Sequence, residues 1–283
     1  MSIYVCHFKR DRPSNLQRSG YAPSRHSWKF CYSPVSPPIQ LGLVVSIFLV
    51  LFAGGLNSFS NYPRYQNDLT RLGTTLLSRS GFAPAQTTIL FAQGGTVFNL
   101  GNGISLTALL ANADNLKATF SQIGAAGKSS SDSVLFIASN HGGQDAQKTG
   151  STLWGWGTTP ITDQDFTQFC DLLGPLPQVF VLGQCYSGGF IRPLGRSGRC
   201  IMTASAWDQP SYATADAQYD EFLLLFSQYI EAGGDSLAGA FSYISTSDNQ
   251  QETPQFYDGG LGGETFLLGQ PPAQPIYRGK IVS

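Results

Sequence analysis

Charge is what this sequence has least of. Asp, Glu, Lys and Arg together make up 12% of its 283 residues, about half the share of an ordinary soluble chain. The net charge of −1 leaves no basic footprint for nucleic acid. Histidine is scarce too: three in all, with His141 the only one beyond residue 26. The five cysteines, Cys6, Cys31, Cys170, Cys185 and Cys200, form no CxxC pair, so no metal site and no cofactor is expected. Their odd number and wide spacing exclude a disulfide framework. There is no internal repeat and no linker between two domains. What is present is a 42% hydrophobic share and length enough for one large α/β domain with a sizeable core. Its surface must then be Gly, Ser, Thr, Asn and Gln.

Two stretches carry the chemistry. In VFVLGQCYSGGF, Val179 to Phe190, the run Val179–Gly183 reads as a short buried strand that ends at Gln184-Cys185 before a Ser-Gly-Gly turn. A thiol there lies at the carboxyl end of a strand, where open α/β sheets hold their ligands. A free cysteine is more often a buried, inert filler, and reactive thiols need an identifiable setting. SVLFIASNHGG, Ser133 to Gly143, has the same design: a strand over Val134–Ala138, then His141 before two glycines. A lone histidine usually serves as a structural hydrogen-bonder. If the two strands are adjacent and parallel, however, thiol and imidazole emerge on one edge. The separation of 44 positions from His141 to Cys185 suffices for the crossover that parallel strands require. A histidine beside a cysteine is the minimum for nucleophilic thiol catalysis.

Strand-His-Gly followed by strand-Cys-x-Ser-Gly resembles the caspase–legumain superfamily of cysteine peptidases, and the likeness runs from about Leu41 to the C-terminus. It implies a three-layer α/β sandwich, with a mostly parallel sheet of about six strands flanked by helices, and a catalytic domain over residues 39–283. It also implies a His141–Cys185 dyad that cleaves peptide bonds through a thioester acyl-enzyme, with an oxyanion hole from the N–H groups of Gly142 and Cys185. The substrate is then a peptide or protein, cut after Asn or Asp. The alternatives are a transamidase or ligase of the same superfamily and a catalytically inactive scaffold. NYPRYQND resembles the legumain run that begins the first helix; Arg64 matches its pocket-lining Arg, while Tyr65 replaces a His. Thr203-Ala204-Ser205 followed by Asp208, Ser211 and Tyr212 resembles the border of the legumain pocket. Arg64, Gln184, Ser205 and Asp208 are therefore the candidate substrate-binding residues.

The rest of the chain is read around these stretches. Residues 1–38 are basic and without period, which predicts a poorly ordered extension. Leu41–Leu56 is apolar enough for a signal or anchor segment but short of the ~20 residues a spanning helix needs. A first buried strand over Ser46–Phe52 is favoured, with membrane association only if 41–56 is an anchor. The location stays open, a soluble intracellular one being favoured over a secreted or membrane-anchored one. Further expectations are a helix over 64–77, a strand over Thr87–Ala92, a loop over Gly94–Gly103 and a helix capped by Ser105 through Phe120. A helix opened by Thr162 carries Cys170 as a core thiol, and Trp154 and Trp156 lie in a loop. Beyond the thiol come a strand over Cys200–Ser205, helices over 218–231 and 235–244, and a closing strand over Thr265–Leu268. The 14 residues between Cys185 and Cys200 are few for a cleavable activation loop. Arg192, Arg196 and Arg199 are expected to keep that segment exposed.

Overall fold

The computed structural model describes residues 46–126, 132–145, 147, 149–157, 159–247 and 252–261. The basic extension 1–38 and the closing strand expected at 265–268 lie outside the described residues. In order, the elements are β1 (Ile47–Ala53), α1 (Pro63–Leu77), β2 (Phe82–Phe91), β3 (Val97–Asn99), β4 (Ser105–Thr107), α2 (Ala113–Ala125), β5 (Ser133–Ala138), β6 (Gly142–Gln144) and β7 (Ser151–Trp154). There follow β8 (Pro160–Thr162), α3 (Asp163–Asp171), β9 (Gln178–Leu182), a 3-10 turn (Ser187–Phe190), α4 (Ile191–Leu194), β10 (Arg199–Thr203), α5 (Glu221–Glu231), α6 (Leu237–Ser247) and β11 (Gln255–Asp258).

Six strands pair in the order β11-β10-β9-β5-β1-β2. All ladders are parallel except β10 with β11. The central strands are apolar on both sides because both faces are covered, the usual condition of a parallel sheet. Leu49 and Leu51 of β1 join one cluster with Leu69, Leu72 and Leu76 of α1, Phe226 of α5 and Ile244 of α6. Val50 and Phe52 join the other, with Phe120 of α2, Phe166 of α3 and Leu194 of α4. The result is a three-layer α/β sandwich. The apolar stretch at Leu41–Leu56 thus contributes β1, held between β5 and β2. Among the described residues, no helix is long and apolar enough to cross a membrane.

Three local readings change. Ser105 opens no helix: Ser105–Thr107 pairs antiparallel with Val97–Asn99 inside the expected loop. The helix starts only at Ala113, where Asn112 is the N-cap and its side chain accepts from Asn115 N–H at 2.9 Å. A Leu between Ser and Thr suits a half-buried edge strand as well as a first helical turn, and the real cap decides. Trp154 belongs to β7 rather than a loop. Arg199 is 1% exposed, not a surface residue; its guanidinium donates to Gln178 Oε1 (2.8 Å) and to Asp171 Oδ1 (3.0 Å).

Candidate active site

Register delivers the two candidate catalytic residues to the same place. Ala138 of β5 pairs with Leu182 of β9, and His141 and Cys185 each stand three residues further on. The strands are parallel neighbours, so both side chains leave the sheet at its carboxyl edge. Gly142 then runs directly against the cysteine turn: an added Cβ would overlap the Cys185 carbonyl oxygen and stand 2.8 Å from Gln184 Cγ. Only a residue without a side chain allows this approach. Tyr186 follows in the left-handed region, with φ 60°, which turns the chain away and leaves the thiol half-buried.

The imidazole is held from several sides. Its Nε2 lies 2.8 Å from the Ser60 carbonyl oxygen. A carbonyl can only accept, so Nε2 carries the hydrogen and Nδ1 is left as the basic nitrogen. Tyr62 and Tyr65 pack edge-on to the ring at centroid distances of 5.1 and 5.4 Å. The His141 carbonyl accepts from Trp154 N–H at 3.2 Å. Asn140 ties the turn to its neighbours, accepting from Gly55 N–H at 2.8 Å and donating to the Trp154 carbonyl. Burial lowers the His141 pKa; the Ser60 hydrogen bond opposes this and the Arg64 charge adds to it.

Cys185 Sγ faces Ser211. It receives Ser211 N–H at 3.3 Å and Ser211 Oγ at 3.7 Å, and it lies 3.6 Å from the Ser211 carbonyl. Two donors aimed at one sulfur suit a thiolate, whereas the carbonyl suits the thiol. The other cysteines are different. Cys170 is fully buried with its pKa pushed well up by desolvation, and Cys200 is pushed up to about 12 by burial and by its hydrogen bond to Asp258.

Arg64 opens α1 beside the imidazole. Its guanidinium lies 4.3 Å from the Tyr62 ring centroid and 4.8 Å from that of Tyr65, and it donates to the Tyr65 hydroxyl at 3.3 Å. Burial raises the Tyr65 pKa far above its ordinary value, so the hydroxyl stays neutral. Asp68, one turn along, accepts from Ser139 Oγ at 2.6 Å and from Asp220 N–H at 3.2 Å. Burial and the nearby Asp220 carboxyl push its pKa well up. That bridge fixes α1 to the end of β5 and to the start of α5.

The remaining candidates are spread out. Gln184 is fully buried, and neither atom of its amide has a partner among the described residues. Ser205 is also fully buried and braces the cysteine turn: its N–H donates to Ser187 Oγ at 3.3 Å, and its carbonyl accepts from Gly188 N–H at 2.9 Å. Asp208 is exposed in the loop between Trp207 and Gln209. Sequence reasoning assigned no role to Ser60 or Tyr62, and it placed Ser211 at the border of the pocket rather than against the thiol. The one available signal was aromatic residues on both sides of Arg64 in NYPRYQND.

The family model of the Peptidase C13 family matches residues 105–261, a span that includes both His141 and Cys185. Two solved structures share the fold. A protein from Geobacter sulfurreducens is 13% identical with a TM-score of 0.57, over 80% of this chain and 98% of its own. Caspase-1 from Spodoptera frugiperda is 12% identical with a TM-score of 0.55, over 82% of this chain and 92% of its own. No curated protein sequence matches the chain.

Proposed function

The chain belongs to the peptidase C13 family of cysteine peptidases, and from that premise we infer that Cys185 is the nucleophile and His141 its base in an endopeptidase that cuts after Asn or Asp. The observation that carries this is the shared register: His141 and Cys185 each follow by three residues a paired position of neighbouring parallel strands, with the ring fixed by Ser60. Cys185 Sγ attacks the peptide carbonyl carbon while its proton passes to His141 Nδ1. The N–H groups of Gly142 and Cys185 hold the developing oxyanion, a preorganised stabilisation worth about 10²–10³ per donor in comparable sites. The C–N bond breaks, the leaving amine takes the proton from His141, and a thioester remains. Water, deprotonated by the same imidazole, hydrolyses it and the thiol is regenerated.

Arg64 supports the specificity. A cation in the first turn of a helix opposes the macrodipole, and this one is stacked between two tyrosines beside the catalytic histidine. That favours a side chain with a carbonyl or carboxylate oxygen. Gln184, Ser205 and Asp208 complete the reading as border residues, Ser205 by bracing the turn from within.

Labelling with peptide acyloxymethyl ketones ending in Asn, Asp or Arg tests both parts. The Asn or Asp reagent should modify Cys185, and Cys185→Ala and His141→Ala should each abolish peptide cleavage with the thermal melt unchanged. Cleavage by Cys185→Ala at the parent rate rejects the mechanism; preferential labelling by the Arg reagent rejects the specificity.

A further inference from the structure

Two arginines, Arg64 and Arg192, belong to helices that pack on opposite faces of the sheet. Arg64 begins α1, whose leucines fill one apolar cluster. Arg192 lies in α4, where Leu194, with Phe190 of the preceding turn, fills the other. Next to Arg192 is a hollow of about 470 Å³ walled by Ser151, Gly188, Gly189, Ile191, Arg192 and Trp207. A second hollow of about 310 Å³ shares Gly189 and Arg192 with it, so the two form one groove.

This groove is lined in part by the turn that carries the thiol. Gly188 and Gly189 belong to the turn that follows Cys185. Ser151 Oγ donates to the Tyr186 carbonyl at 2.7 Å, and a side chain at Gly189 would run into Ser151 Oγ. Gln144 Nε2 donates to the Trp207 carbonyl at 3.3 Å, linking the loop after β10 to the strand after His141. The wall is therefore made by the segments that follow the two catalytic residues.

Its chemistry is specific. Arg192 makes no ion pair among the described residues, whereas its neighbours Arg196 and Arg199 are both committed to Asp171. The Asp163 carboxyl, at the far wall, is taken by Ser151 N–H at 3.0 Å. The Trp207 ring is 53% exposed at the rim. A guanidinium without an ion-pair partner in a hollow that an indole also lines suits a carboxylate on an otherwise apolar stretch of chain.

We propose that this groove receives the leaving-group side of the substrate, and that Arg192 selects an acidic side chain within the first three residues after the scissile bond, with Trp207 packing beside it. The proposal rests on Cys185 as nucleophile and on Arg64 as the reader of the residue before the bond. An extended chain advances about 3.4 Å per residue, so three residues extend about 10 Å beyond the scissile bond, along a wall that begins with the glycines of the cysteine turn.

The test uses quenched fluorogenic peptides with one acyl portion ending in Asn and with Asp or Lys at each of the three following positions. The parent should favour Asp over Lys at one of these positions by about fivefold in kcat/KM, and Arg192→Glu should invert that ratio. Trp207→Ala should raise KM for every peptide with little change in kcat. In parallel, the Asn acyloxymethyl ketone, which carries no leaving peptide, reports on the nucleophile alone, and a thermal melt reports on folding. Absence of label at Cys185 overturns the underlying reading. Full labelling without an Asp/Lys preference, or with a preference that Arg192→Glu leaves intact, overturns the groove alone.

Discussion

Replacing Gly142 by Ala probes the arrangement at its tightest point. The added methyl would stand 2.8 Å from Gln184 Cγ and 3.0 Å from the Cys185 carbonyl carbon, and its overlap is worst with the carbonyl oxygen. The opposing atoms are mostly backbone, anchored by Tyr186 N–H to the Gln209 carbonyl at 2.8 Å and by Gly189 N–H to the Tyr186 carbonyl at 3.1 Å. They cannot swing aside as a side-chain tip would. The two turns would have to part by about an ångström, and a displacement of that size at a reacting centre lowers the rate about 10²-fold. Overpacking of this kind costs about 1–3 kcal/mol in stability, which lowers Tm by about 2–10 °C for a domain of this size. Gly143→Ala is the control, because its Cβ would meet only side-chain atoms, Thr152 Oγ1 at 3.0 Å and Trp154 Nε1 at 3.4 Å. Steady-state cleavage of one Asn peptide, with calorimetric melts, gives all the quantities needed. A Gly142→Ala enzyme within threefold of the parent in kcat, or no more impaired than Gly143→Ala, would refute the close apposition and the oxyanion role with it.

Two further outcomes follow from the site. The base must be neutral, and the His141 pKa is lowered by burial and by the Arg64 charge, so the acid limb of kcat/KM should lie below the ordinary imidazole value. Arg64→Gln should move that limb upward and Arg64→Lys should leave it in place; identical profiles for the three enzymes would separate Arg64 from the imidazole. The same Arg64→Gln change should weaken turnover of Asn and Asp peptides far more than of a neutral analogue, as read from paired kcat/KM values. The catalytic domain should also be active as one uncut chain. The segment from Cys185 to β10 is a 3-10 turn and α4 closed by a buried Arg199, with little slack to rearrange after a nick. Mass spectrometry of the Cys185-labelled protein should find the label on a chain continuous through residues 186–199, and label found solely on a fragment ending within that segment would refute this.

The fold was legible wherever strand composition and strand ends coincided. β5 and β9 are each buried throughout and apolar after their first residue, and they lead into Asn140-His141-Gly142 and Gln184-Cys185, so both their type and the location of the candidate reactive residues follow from local sequence. β1 was ambiguous for a physical reason: a strand buried on both faces has the composition of a signal or anchor segment, and only its pairing with β2 and β5 separates them. Short elements were misread. Ser105–Thr107 is a strand because Val97–Asn99 lies opposite, and no window centred on Ser105 contains that partner. Arg199 read as a surface cation, because what buries it, Gln178 and Asp171, is more than twenty positions away in sequence.

The site divides along the same line. The roles proposed for His141, Cys185 and Gly142 are legible in sequence because that chemistry demands a strand end, a nucleophile and a residue without a side chain. The groups that condition them contribute through position, and position is nonlocal. Ser60 acts through its carbonyl, 81 positions before His141, and Ser211 acts on the thiol through its N–H from 26 positions beyond Cys185. A main-chain donor or acceptor leaves no trace in residue identity, since any amino acid but proline offers both. For this reason substitution at Ser60 is a weak probe of its role, and substitution at Ser211 removes only the longer Oγ contact at 3.7 Å while leaving the N–H in place. The side chains that pin those backbones are the stronger handles. Asn57 Oδ1 accepts Ser60 N–H at 3.0 Å, and Asp68 Oδ1 accepts Asp220 N–H at 3.2 Å at the end of the loop that carries Ser211. The tuning of the dyad is thus distributed over turns and caps whose sequences look like those of any loop.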